Sequence, residues 1–136
     1  MDANFHIIDE IRKKIDGEKT MKALSIREPW ASMIADGKKT IEVRSWRTSH
    51  RGDILLCAGA KVPGKFAGNA FAIVNLVDIR QMSKDDYASA GDFFEEGAFA
   101  WVFEDVRLIE LFPVKGKLSI FNVDIPQAIF DQASTS

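Results

Sequence analysis

Apolar and polar positions alternate with a period of two along most of this chain, and only briefly with the period of a helix. TIEVRSW (Thr40–Trp46) alternates strictly and predicts a half-buried strand. KALSI, DILLCAG, AFAWVFEDVRLI and LSIFNV predict further strands, and FAIVNLVDI, apolar on both faces, predicts a central one. A short helix is expected from Pro29, a residue suited to a first helical turn, to about Asp36. Trp30, Met33 and Ile34 are its stripe, and Gly37 ends it. SKDDYASA begins with a serine cap and predicts a second short helix, and PQAIFDQA a closing helical turn. Six short strands without regular strand–helix alternation predict an α+β fold, a curled sheet or small barrel with flanking helices.

Three stretches follow. Residues 1–20 are expected to be an extension, with Ile8, Ile11 and Ile15 at helical spacing as an amphipathic helix or a contact for a protein partner. Residues 21–125 hold the domain, and residues 126–136 a turn and a frayed tail.

Within TIEVRSW, residues two apart lie about 6.6 Å from one another on one face. Ile41, Val43 and Ser45 are therefore expected toward the core, and Thr40, Glu42, Arg44 and Trp46 toward the other side, with Lys39 at the turn feeding the strand. Arg44 suits a bidentate grip on phosphate or carboxylate. Lys39 supplies a mobile point charge or a base, Glu42 a hydrogen-bond acceptor or general base, and Trp46 a ring to stack on a nucleobase. Spacing alone leaves a plain Glu42–Arg44 ion pair on a solvated face equally open. Phe99, Trp101 and Phe103 share one strand face as an aromatic core layer, and Trp30 fits a core position as readily as a ligand platform.

Charge sharpens the picture. The whole chain has a formal net charge of -2, which argues against a uniformly basic surface. Residues 22–65 nevertheless carry nine Lys/Arg against four Asp/Glu, and residues 66–113 three against nine. One side can attract phosphate while the molecule stays acidic overall. The lone Cys57 lies in an apolar run and reads as a buried small hydrophobe in a reducing, cytoplasmic setting. No stretch approaches a membrane span, no signal peptide is visible, and no residue spacing calls for a metal or another cofactor.

SIREPW at Ser25–Trp30, followed by Gly37-x-Lys39-x-x-Glu42-x-Arg44, resembles the signature of the ASCH (activating signal cointegrator homology) domain family. AWVFEDVRLI and PVKGKLSIF resemble its later segments. The resemblance implies a PUA-like β-barrel of about six strands, with a cleft beside the first helix. Lys39, Glu42 and Arg44 would face that cleft as its catalytic or central residues. Ser25, Arg27, Trp30 and Trp46 would complete the binding surface, and Lys115 and Lys117 would extend it toward phosphate. The family holds nucleic-acid binders, ribonucleases and amidohydrolases of acylated cytidine nucleosides, so three readings follow. The first is binding of RNA, another single strand or a modified nucleoside in the basic cleft. The second is metal-independent RNA cleavage with Glu42 as base and His50 as candidate acid. The third is amide hydrolysis, which this chain fits less well. Glu42 stands where those enzymes have a threonine, Thr40 is too near Lys39, and none of Glu95, Glu96 and Glu104 aligns clearly with their glutamate.

Overall fold

A computed structural model describes residues 20–129 of the chain. The helix expected within residues 1–20 and the tail beyond residue 129 lie outside them. Six strands and two short helices follow one another: β1 (Thr20–Ile26), α1 (Trp30–Ala35), β2 (Ile41–Arg44), β3 (Gly52–Ala58), β4 (Asn69–Gln81), a single 3-10 turn (Lys84–Asp86), β5 (Phe99–Pro113) and β6 (Phe121–Asp124). The sheet order is β2-β5-β4-β3-β1-β6, with β1 and β3 parallel and every other pair antiparallel. The architecture is α+β. FAIVNLVDI lies within β4, an interior strand, as its two-faced apolar character requires.

Alternation distributes the core. Ile54, Leu56 and Ala58 of β3 join the main cluster with Leu24, Ile26, Phe71, Trp101 and Phe103, while Leu55 and Cys57 point to a second cluster with Ala23, Ile73 and Ile109. Both faces of β3 are thus covered. Burial pushes the Cys57 thiol up to about 12, so it is an inert core residue. In the aromatic layer Trp101 and Phe103 are buried and Phe99 half-buried. The Trp101 indole N–H donates to the Trp46 carbonyl at 3.1 Å.

Three expectations need correction. The sheet is not closed into a barrel by hydrogen bonding, because among the described residues no ladder joins β2 to β6. Register shifts interrupt the β4–β5 ladder at three points, and such bulges bend a sheet without closing it. Second, β2 stops at Arg44 rather than Trp46, because Arg44 pairs with Phe99, the first residue of β5. Ser45 is consequently exposed rather than in the core. Third, LSIFNV forms a strand only from Phe121, since Ser119 takes a left-handed φ of 56° and Leu118 is 95% exposed.

Trp101→Ala should lower stability by about 3–5 kcal/mol, and Trp101→Phe by roughly 1–3 kcal/mol, since the latter keeps most of the packing but loses the N–H donor. Urea unfolding of both variants beside the wild type checks the ranking.

Candidate functional site

The GKKTIEVR stretch leaves α1 through Gly37, whose φ of 80° suits a helix stop that other residues resist. The Lys39 N–H donates to the Met33 carbonyl at 3.2 Å, folding the turn back on the helix. The Lys39 side chain is thereby aimed inward and is only 3% exposed. Its Nζ donates to the Ala90 carbonyl at 2.8 Å, lies 3.4 Å from Glu42 Oε1 and sits 4.9 Å from the Trp30 ring centre. Lys39 is therefore a buried, fixed cation rather than a mobile point charge, and its desolvation is the condition on which the alternative expectation, a base, rested. Desolvation holds its pKa below the usual 10.5, and the neighbouring Glu42 carboxylate opposes that fall.

Strand alternation puts Glu42 and Arg44 on the face opposite Ile41 and Val43, which pack in a third small cluster with Met82, Ala90 and Ala100. Arg44 Nε and Nη2 both donate to Glu42 Oε2, at 3.1 and 2.8 Å. Nη2 also donates to the Ser25 carbonyl of β1 at 2.6 Å. A continuous polar chain results, from the Ala90 carbonyl through Lys39, Glu42 and Arg44 to Ser25. Arg44 Nη1 has no partner among the described residues, and the side chain is 22% exposed. Two cations flank one carboxylate, so the cluster keeps an excess positive charge whose free end is the Arg44 tip.

Ser25 is a meeting point. A Cβ on Gly116 would lie 2.7 Å from its hydroxyl oxygen, and one on Gly59 would lie 3.7 Å away. Gly116 therefore runs the backbone of this segment close to Ser25, and its neighbours Lys115 and Lys117 are exposed. No Asp or Glu occurs between Glu110 and Asp124 in this segment.

The other candidates separate. Arg27 is exposed just past β1, and its carbonyl accepts the Ala31 N–H. Trp30 is half-buried between Lys39, Phe93 and Gly91, where a Cβ would lie 2.8 Å from the ring. Trp46 is half-buried and packs edge-on against Trp101 at 4.8 Å, on the margin of the main core cluster. The His50 Nε2 lies 3.0 Å from the Asp53 carbonyl, three residues along the chain. Glu95, Glu96 and Glu104 are exposed, and Thr40 serves the backbone, its N–H meeting Ser89 and its carbonyl Phe103. Among the described residues no group of His, Cys, Asp and Glu side chains is arranged to hold a metal ion.

Sequence reasoning passed over Glu28, which is 2% exposed in the middle of SIREPW. It accepts hydrogen bonds from Ser32 and from the distant Phe66 N–H. The available signal was a carboxylate directly before Pro29 with a serine four residues on, the spacing of one helical turn.

The profile of the ASCH domain matches residues 24–114, which contain all of this site except Lys115, Gly116 and Lys117. The chain belongs to the ASCH domain family. Activating signal cointegrator 1 from mouse is 28% identical over 128 residues, covering 74% of this chain, and its human counterpart 50% identical over 40 residues, covering 29%. The chain spans only 22% of the mouse protein and 7% of the human one in those matches. A crystal structure of the ASCH protein of Zymomonas mobilis has the same fold, with a TM-score of 0.54 at 16% identity, covering 84% of this chain and 93% of that one. ASCH domains are associated with RNA binding. Among the described residues no helix is long and apolar enough to cross a membrane.

Glu42→Gln should destabilise this ASCH domain by about 3 kcal/mol, because it leaves charged Lys39 buried without its counter-charge. A lowered lysine pKa means that the unfolded chain binds the extra proton, so the penalty is full below the folded pKa and fades as pH rises toward 10.5. The stability gap between variant and wild type should accordingly narrow with rising pH, as denaturant midpoints across the alkaline range will read out.

Proposed function

We propose that this ASCH domain binds single-stranded RNA, with a phosphate held at the Ser25–Arg44 edge and flanked by Lys115 and Lys117. The observation that carries the reading is the unbalanced charge of the buried cluster. Lys39 and Arg44 share Glu42, and the Arg44 Nη1 has no partner among the described residues. An arriving phosphate oxygen completes the pairing without displacing a protein contact, and a guanidinium suits that role by its planar donors. The acid-free Lys115–Lys117 segment adds the screened, sequence-independent attraction common to nucleic-acid sites. The family's association with RNA makes RNA the first ligand to test. Cys57, buried and unreactive, suits a reducing cytoplasmic setting.

In this reading Lys39 and Glu42 position Arg44 and do not touch the ligand. The burial of Glu42 and the engagement of both its oxygens favour binding over the ribonuclease alternative, in which Glu42 needs an open path to a 2′-hydroxyl. Amide hydrolysis of an acylated cytidine has no specific observation in its favour.

Lys115→Gln/Lys117→Gln should weaken binding of a short single-stranded RNA by about an order of magnitude at moderate salt. The slope of log affinity against log salt should fall by about 1.4, about 0.7 per lost phosphate contact. Both residues are exposed, so folding should be unaffected. An unchanged affinity and slope in this variant and in Arg44→Gln, with melting curves confirming folded protein, would falsify the reading.

A further inference from the structure

A second loop stands beside the Lys115–Lys117 segment. Gly59 to Gly68 leaves β3 and returns to its starting point, where the Gly68 N–H donates to the Ala58 carbonyl at 2.8 Å and Ala58 bridges Ala67. The Val114 N–H donates to the Gly68 carbonyl at 3.1 Å, so the bases of the two lysine-bearing loops are joined. Their glycines, Gly59 and Gly116, both approach the Ser25 hydroxyl. The second loop presents Lys61 and Lys65, both exposed, and the chain carries no Asp or Glu between Asp53 and Asp78.

The far side of this loop is held by Glu28. Its Oε2 accepts the Phe66 N–H at 3.0 Å, while Oε1 accepts the Ser32 N–H at 2.9 Å and the Ser32 hydroxyl at 2.8 Å. The fit is close, since a Cβ on Gly64 would lie 2.4 Å from Glu28 Cγ. No Lys or Arg pairs with Glu28 among the described residues, so this buried carboxylate is held by hydrogen-bond donors from the helix and the loop. Phe66 then stacks on Phe71 at 4.7 Å and anchors the loop in the core. A buried carboxylate is a costly way to fasten a surface loop unless the loop's exact placement matters.

We propose that Glu28 is a positioning residue that sets the Gly59–Gly68 loop as a second phosphate-contacting arm, with Lys61 and Lys65 as its contacts. The ligand in this proposal rests on the RNA-binding reading above. A strand held at Ser25 and Arg44 then runs between two cationic loops, so the arm is felt by an oligonucleotide and not by a mononucleotide.

The test compares wild type with Gly64→Ala, Glu28→Gln and Lys61→Gln/Lys65→Gln, using a short single-stranded RNA and cytidine monophosphate. Gly64→Ala keeps every charge but drives a methyl group into Glu28, and Glu28→Gln keeps the size while losing one acceptor. The lysine variant should reduce RNA affinity several-fold and the salt slope by about 1.4, with cytidine monophosphate unchanged. The two tether variants should reproduce the selective RNA loss and speed hydrogen exchange at the Phe66 amide, which the lysine variant leaves protected. Should Gly64→Ala fail to fold, Glu28→Gln decides the matter. A normal slope in the lysine variant, while Lys115→Gln/Lys117→Gln lowers it, overturns the arm and leaves the RNA reading standing. Normal RNA affinity with a rapidly exchanging Phe66 amide overturns the positioning role. Absence of RNA binding by wild type overturns the reading and this proposal together.

Discussion

The contact between Arg44 and the Ser25 carbonyl constrains everything near the site. In the sheet order, β2 and β1 are separated by β5, β4 and β3, yet one guanidinium spans them at 2.6 Å. The bulged β4–β5 ladder curls the sheet until its distant strands approach, and a side chain makes the contact that no ladder makes. β6 pairs with β1 only as far as Ala23, so the Ser25 carbonyl lies beyond the antiparallel ladder and is met by Arg44. Arg44 in turn needs Glu42, and Glu42 in a low-dielectric setting needs Lys39. Each charge is tolerable only because the next is in place.

Much of this was legible in the sequence. Alternation placed Glu42 and Arg44 on one face, and the family motif marked Lys39 with them. The burial of Lys39 was not legible, because it depends on the Ala90 carbonyl and on Gly91 clearing the Trp30 ring, both some fifty residues away. The barrel expectation counted strands well but had no means of reading pairing at the sheet's ends. Trp46 shows the limit of alternation. Its position matched the ligand-facing set, but β2 ends at Arg44, and the two-residue phase carries no information past the last paired residue. Glu28 escaped for a different reason: the serine four residues on is a spacing that surface acids share, and the hydrogen bond to Phe66 that ties it to the loop crosses 38 residues.

How charge is used across the fold bears on what the domain meets. Part of the acidic charge is provided for internally. Asp86 forms a two-pronged pair with Arg80, and Asp53 and Asp105 both meet Arg107. The cations of the two loops are not. Lys65 and Lys117 lie near the rings of Phe66 and Phe121, and none of Lys61, Lys65, Lys115 and Lys117 has a carboxylate partner among the described residues. Exposed lysines alone are ordinary, but these four sit on loops drawn together at Ser25, where mutual repulsion opposes the arrangement. The glycines at the junction and the buried Glu28 tether hold them there against that repulsion. In the RNA-binding proposal a polyanion relieves it, and the same contact that steadies the loops then supplies salt-dependent affinity.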